Sequence, residues 1–450
     1  MPMQPLASSF RDPCSHVCLH DGHYYRVFSQ RGMADLKKFV ESSLGEELLA
    51  AGKLVGYEIQ RLDDISAIME LETIPFISYP YEWCFAQLRD AALLTLETTK
   101  AALRHGMILK DASAYNVAWK DGRPLFLDHG SFTIYEEGRP WQAYKQFIMH
   151  FLGPLMLCKY FDARLLSLLA THLDGIPLDL LSKMLPLSSR FSLCALLHIH
   201  WHTKMDSKHS QTFNRQATAN AEISKKRLVE LLNYLHGSIL DMKPSHSSTE
   251  WENYYDETNY SAIAQEMKKQ IIESHCTRLK PRRVIDLGAN NGLYSQLAAQ
   301  YANNVIAADI DCNAVEALYL KHNTKIYPLV QDFSNPSASC GVLCSERNSF
   351  IQRAHGDLSM GLALAHHLRI GGNWTLNQIA ELFSSTGENS LVEFVPKEDS
   401  QVQKLLQSRE DIYDDWRLET FIKTFNQRFK TCTVEPIADS ARSMIFCSKD

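Results

Sequence analysis

Asp286, Gly288, Asn290 and Gly292, spaced as D-x-G-x-N-x-G, are followed 23 residues after the first of them by Asp309. Val284, Ile285 and Leu287 form a short apolar strand, and the spacing turns helical from Leu293. Gly288 and Gly292 allow a tight turn and a close backbone approach that a Cβ would block. A second apolar strand, Asn304 to Ile310, carries Asp309 at its end, where a carboxylate can accept from both hydroxyls of a ribose. A dinucleotide turn wants G-x-G-x-x-G, with a pyrophosphate seated on the helix N-terminus. The carboxylate of Asp286 would repel that group and suits a cationic or amino-bearing ligand instead.

These residues resemble the first motif of the Rossmann-like, class I S-adenosylmethionine-dependent methyltransferases, with Asp309 as that family's ribose-binding acid. The resemblance extends along the chain. Asp332 and Phe333, at the end of a third strand from Ile326, correspond to the adenine-binding pair. Tyr255 and Tyr260, in the aromatic segment before the first strand, are positioned to line the sulfonium, whose charge an aromatic face attracts; packing in the core is the alternative for both. His366 and His367 follow the fourth strand and Glu393 lies on the fifth, so each of the three is a candidate general base. The residues do not choose among them.

A second constellation lies upstream. Asp111 and Asn116 are five apart, and Asp128 opens Asp-His-Gly before Ser131. This spacing resembles the core of protein kinases and small-molecule phosphotransferases, where the first Asp meets the acceptor hydroxyl, and the Asn and second Asp hold magnesium on nucleotide phosphates. No glycine-rich phosphate loop precedes it, and no Val-Ala-Ile-Lys strand supplies a phosphate lysine. Arg26 is the nearest basic residue on an early strand, and Arg does not substitute simply for Lys. The expectation is a kinase-like fold with degraded or altered chemistry; Mg-ATP would be the ligand of the alternative, an active phosphotransferase.

Four stretches together resemble a bacterial methyltransferase family with nodulation-type members: Phe76 to Trp83, Leu109 to Asn116, Leu364 to Leu368, and Val392 to Pro396. The likeness covers nearly the whole chain and leaves the methyl acceptor open.

The elements that must position these residues form two domains. A kinase-like α+β domain with a helical lobe is expected over residues 1–240, a linker over 241–250, and a methyltransferase domain of α/β class over 251–450, its sheet covered by helices on both faces. The linker signal is the Pro244 and serine-rich stretch from Gly237 to Thr249. In the first domain, Val17 to Ser29 reads as a hairpin and Ala34 to Ala51 as one amphipathic helix. Ile74 to Glu82 reads as a strand, Cys84 to His105 as a helix, and Trp141 to Leu235 as helical with stops at Pro154, Gly175-Ile-Pro177 and Pro186.

Composition narrows the function classes. The 450 residues are 45% hydrophobic and 22% charged, and Lys+Arg 46 against Asp+Glu 52 gives a net charge of −6, which argues against a nucleic-acid partner. A small molecule or glycan is the favoured acceptor. Eleven cysteines without a secretory signal pattern point to a reducing, cytoplasmic setting. The most apolar run, Phe147 to Phe161, is too short to span a bilayer. Cys14, His16, Cys18 and His20 alternate along one strand but no second ligand pair follows. Of His198, His200 and His202 only the first and last share a helix face, so neither group reads as a metal site.

Overall fold

Strands that are apolar almost end to end build the sheet behind the glycine turn. In the computed structural model, which describes residues 4–203, 222–245, 260–407 and 409–450, the chain divides into two compact units. Residues Met1–Ser247 with Ser339–Arg347 form the first, and Ser248–Ala338 with Asn348–Asp450 the second.

The first unit opens on a five-stranded sheet, order β1-β2-β3-β5-β4. Its strands are β1 (Gln4–Pro5), β2 (Ser15–His20), β3 (His23–Phe28), β4 (Tyr57–Leu62) and β5 (Ala67–Leu71). The β2–β3 hairpin turns through Asp21 and Gly22, both at positive φ. A helix over Phe85–Arg104 buries Leu88, Leu96 and Leu103, and starts where Gln87 Oε1 accepts from the Cys84 N–H at 3.0 Å. Two small ribbons follow, β6 (Met107–Leu109) with β9 (Phe132–Ile134) and β7 (Val117–Lys120) with β8 (Arg123–Phe126), and they present the loops bearing Asp111, Asn116 and Asp128. This unit is of α+β class, and after residue 143 its elements are almost all helical.

Several local expectations are corrected. The helix expected over 34–51 is two, Met33–Glu41 and Leu44–Ala50, because Ser43 adopts a left-handed φ of 55°. Ile74 to Glu82 is irregular, ending in a 3-10 turn over Pro80–Glu82; Pro75 and Pro80 cannot donate to a ladder. Pro154 does not stop its helix. It sits at the start of helix Gly153–Tyr160, directly after a π-turn over Ile148–Leu152 whose wider spacing accommodates the missing N–H. Gly237 lies inside helix Lys225–Leu240 rather than in a linker.

The first unit also contains Ser339–Arg347. Arg11 grips Glu346 with Nε and Nη2, each at 3.0 Å. The Arg347 guanidinium lies 4.5 Å from the centre of the Tyr115 ring, and the Tyr81 hydroxyl is 3.6 Å from Cys340 Sγ.

The second unit carries a seven-stranded sheet of order β12-β11-β10-β13-β14-β16-β15. Its strands are β10 (Arg283–Leu287), β11 (Asn304–Asp309), β12 (Ile326–Val330), β13 (Gly356–Gly361), β14 (Gly387–Phe394), β15 (Thr431–Pro436) and β16 (Ser443–Ser448). The first five are parallel, and β16 pairs antiparallel with both β14 and β15. The interior strands are buried along nearly their whole length, as strands covered on both faces must be, whereas edge strand β15 alternates. Strand order reverses between β10 and its neighbours β11 and β13, so the carboxyl ends of β10, β11 and β13 frame a crevice at the switch point. This is the Rossmann-like methyltransferase sheet.

Candidate functional site

At that crevice lies a cavity of about 260 Å³, lined among others by Tyr260, Lys268, Asp286, Gly288, Asn290, Asp309 and His367. Gly288, at φ +75°, and Asn290, at φ +49°, let the chain leave β10 in a tight turn, which the Gly288 N–H anchors by donating to the Ala308 carbonyl at 2.9 Å. Asp309 accepts from the Asn290 N–H at 2.7 Å through Oδ2 and from the Asp311 N–H at 2.9 Å through Oδ1. Asp286 accepts from the Ser295 hydroxyl at 2.5 Å. Burial pushes both carboxyls up to about 6, each against the pull of the donors it has. Two desolvated acceptors in one cavity suit a ligand that brings hydroxyl and ammonium donors. S-adenosylmethionine brings both, and the residues present fit it.

Gly292, Asp332, Phe333, His366 and Glu393 do not line this cavity, and Tyr255 lies outside the described residues. Gly292, at φ +78°, serves packing: a Cβ there would collide with Leu318 of helix Cys312–Tyr319. Asp332 accepts from the Ser334 N–H at 2.8 Å, and Phe333 packs at a tilt on Phe350. The two histidines separate, as adjacent residues must. His367 faces the cavity, and burial followed by the charge of Arg442 lowers it to about 4. His366 is enclosed, 4.1 Å from it between ring centres, with no partner at either ring nitrogen among the described residues.

Glu393 is not available as a base. Burial alone would raise its carboxyl, but Lys268, whose Nζ is 2.6 Å from Oε2, and Arg442, 3.3 Å from Oε1, hold it below the usual range. The Tyr260 hydroxyl also donates to Oε1, and Arg442 is anchored in turn on Asp399 at 2.7 and 3.0 Å. The network fixes Tyr260 and Lys268 at the cavity wall. Lys268 Nζ lies 5.0 Å from the Tyr260 ring centre and 4.6 Å from that of Tyr294. Lys268 and Tyr294 were not expected from the sequence. The signal for Lys268 was a lysine in the buried stripe of helix Ala262–Leu279, aligned with Ala264, Ile271, Ile272 and His275.

Compared with curated proteins, the chain is 30% identical over 456 residues to nodulation protein NoeA of Rhizobium meliloti (strain 1021), covering 98% of this chain and 95% of that one. The chain belongs to the NoeA family. No protein-family model matches it. Among solved structures, the NoeA-family chain is similar to magnesium protoporphyrin IX methyltransferase from Synechocystis PCC 6803 with bound SAH, at 13% identity and TM-score 0.31 over 44% of this chain and 92% of that one. It is also similar to the bifunctional kinase-methyltransferase WbdD, at 15% identity and TM-score 0.31 over 44% of this chain and 42% of that one. A third is the N-methyltransferase NodS from Bradyrhizobium japonicum WM9, at 9% identity and TM-score 0.29 over 40% of this chain and 96% of that one. With scores this low, the fold assignment rests on the strand order itself.

In the first unit of this NoeA-family chain, Asp111, Asn116 and Asp128 come together, and the second aspartate is paired with Arg26. Arg26 Nη1 is 2.6 Å from Asp128 Oδ1, which also accepts from the Gly130 N–H at 3.0 Å, and Asp128 Oδ2 accepts from the Ser131 hydroxyl. The Asn116 amide donates to Ser131 Oγ at 3.2 Å, and Asp111 Oδ1 accepts from the Ser113 N–H at 2.9 Å. Burial would raise Asp128, yet Arg26 and the two donors hold it low; Asp111 has no such cation and is raised by burial and then by Asp128. No group of three metal-ligating acids, histidines or cysteines occurs among the described residues. In the helical segment, His198 pairs with the Tyr144 hydroxyl at 2.5 Å, and His200 with Ser182 and Ser189 at 2.9 and 2.8 Å. No helix among the described residues is long and apolar enough to cross a membrane.

Proposed function

We propose that the second unit is an S-adenosylmethionine-dependent methyltransferase acting on a small molecule or glycan, and that the first unit recognises the acceptor. The observation that carries this is the convergence of Asp286, Gly288, Asn290 and Asp309 on one cavity at the switch point of the sheet. Asp309 would take the ribose hydroxyls and Asp286 the amino group, while Tyr260, whose ring already carries Lys268 at 5.0 Å and Arg442 at 4.4 Å from its centre, would line the methionine side by its position in the wall. Asp332 and Phe333 remain assigned to the adenine end. When bound, the cofactor supplies a methyl group already activated for transfer. The chain then has to exclude water, align the acceptor and, for an oxygen or neutral nitrogen acceptor, remove a proton. His367 is the base that faces the cavity and is neutral at pH 7, so it can accept that proton. His366, enclosed behind it, is assigned to holding the His367 ring.

Titration calorimetry tests the cofactor. S-adenosylmethionine should bind wild type more tightly than NAD does, and Asp309→Ala should lose two charge-assisted hydrogen bonds, each worth on the order of 1.5 to 3 kcal/mol. Equal affinity in wild type and variant would overturn the assignment. Turnover of labelled S-adenosylmethionine against fractionated cell extract tests catalysis and finds the acceptor together. His367→Ala should lower that turnover by about 10² to 10⁴ with cofactor affinity nearly intact.

A further inference from the structure

A phosphotransferase needs a metal at the second aspartate of its core, because the ion neutralises the phosphates during transfer. In this chain that position is filled from within. The Arg26 side chain, 9% exposed, reaches across from β3 to place its guanidinium 2.6 Å from Asp128 Oδ1, and the same nitrogen donates to Ser15 Oγ at 3.0 Å. Asp128 Oδ1 also accepts from the Gly130 N–H, and Oδ2 from the Ser131 hydroxyl. A Cβ at Gly130 would run into Ser15 Oγ and approach Arg26 Nη1 and Asp12, so the glycine leaves the room that the guanidinium and its partners occupy. Lys110 adds a second cation nearby, 3.6 Å from Asp12.

We infer that Arg26 is a permanent counter-ion of Asp128, a guanidinium standing where the fold's divalent cation would sit, and that the first unit works without magnesium. A divalent ion could reach this carboxylate oxygen only by displacing Arg26, which would break the ion pair and leave the buried guanidinium without its Asp128 partner. Asn116 donates only its amide N–H to Ser131, and Asp111 accepts the Ser113 N–H through one oxygen, so the guanidinium, and not a shortage of oxygen ligands, is what keeps an ion out. Any ligand of this unit is therefore bound without a metal bridge, and phosphoryl transfer is not its chemistry.

The test uses the full chain and Mn²⁺ as a stand-in for Mg²⁺, read by titration calorimetry and by loss of the free-ion electron paramagnetic resonance signal. Wild type and Asp128→Asn should be alike, with no ion bound at one equivalent. Arg26→Met should gain a site binding at least about tenfold more tightly than any wild-type binding, and Arg26→Met with Asp128→Asn should lose it. Mn²⁺ bound by wild type and released by Asp128→Asn would overturn the inference, as would a folded Arg26→Met variant that gains no site. Should Arg26→Met fail to fold, wild type against Asp128→Asn still decides. These readings do not involve S-adenosylmethionine and stand apart from the methyltransferase assignment.

Discussion

Asp286 and Asp309 are each charged groups kept in a place that disfavours charge. A carboxyl raised from 3.8 to about 6 in the folded chain contributes stability that is fully present below pH 3.8 and lost as pH rises through 6. At neutral pH each therefore destabilises the fold by up to about 3 kcal/mol, with backbone relaxation reducing the figure. Asp286→Asn keeps an acceptor for Ser295 and removes the charge. Its denaturation midpoint should exceed wild type at pH 7.5 and approach it near pH 4, while S-adenosylmethionine affinity falls at every pH; a variant less stable than wild type at pH 7.5 would contradict the argument. Asp309 gives a second pH signature. Its ionised form makes the stronger hydrogen bonds to ribose, so cofactor affinity should weaken as pH drops through about 6. His367, at about 4, leaves the catalytic step level across the same window. KM for the cofactor should thus rise between pH 7 and 5 while kcat stays flat, until the acceptor's own ionisation intervenes.

Helix Ala262–Leu279 and strand β14 are joined through charge in the interior, and this coupling exists only because Lys268 meets Glu393. Removing one partner of a buried pair typically destabilises by about 3 to 5 kcal/mol, since the other charge is left behind. Lys268→Met should therefore be strongly destabilising. Here Arg442 still faces Glu393, so the double variant Lys268→Met with Glu393→Gln leaves Arg442 on Asp399 and should recover part of the loss, which a double-mutant cycle in urea would read as a coupling term. No recovery would mean that Lys268 acts by packing against the tyrosine rings alone. The parallel strands and the glycine turn were legible in the sequence because apolar runs and glycine spacing are local signals. The charge network was not, because its members lie at positions 260, 268, 393, 399 and 442 and meet only in the fold. The same limit explains Arg26 and Asp128, a hundred residues apart, whose pairing changes the meaning of a motif that looks complete by spacing. Local conformation failed where a single residue overrode the pattern: Ser43 broke a helix that periodicity continued, and Pro154 began one that its side chain was expected to end.

The two units each enclose their own core, and a cofactor that binds one of them stabilises that one by mass action. At about 100 times its dissociation constant the gain is roughly 2.7 kcal/mol. In differential scanning calorimetry S-adenosylmethionine should raise the unfolding temperature of the unit containing Ser248–Ala338 and Asn348–Asp450, and Asp309→Ala should abolish the shift. A net charge of −6 on 450 residues is too small to build a strong long-range field over the whole chain.

The first unit is threaded from two lengths of chain, and that has a genetic consequence. A gene divided after codon 247 would yield one product whose Arg11 lacks Glu346 and whose Tyr115 lacks the guanidinium of Arg347, and a second bearing Ser339–Arg347 with nothing to fold on. Domain shuffling by a single crossover cannot part these two halves cleanly. A transplant of either into another protein has to move the short excursion with the unit it completes.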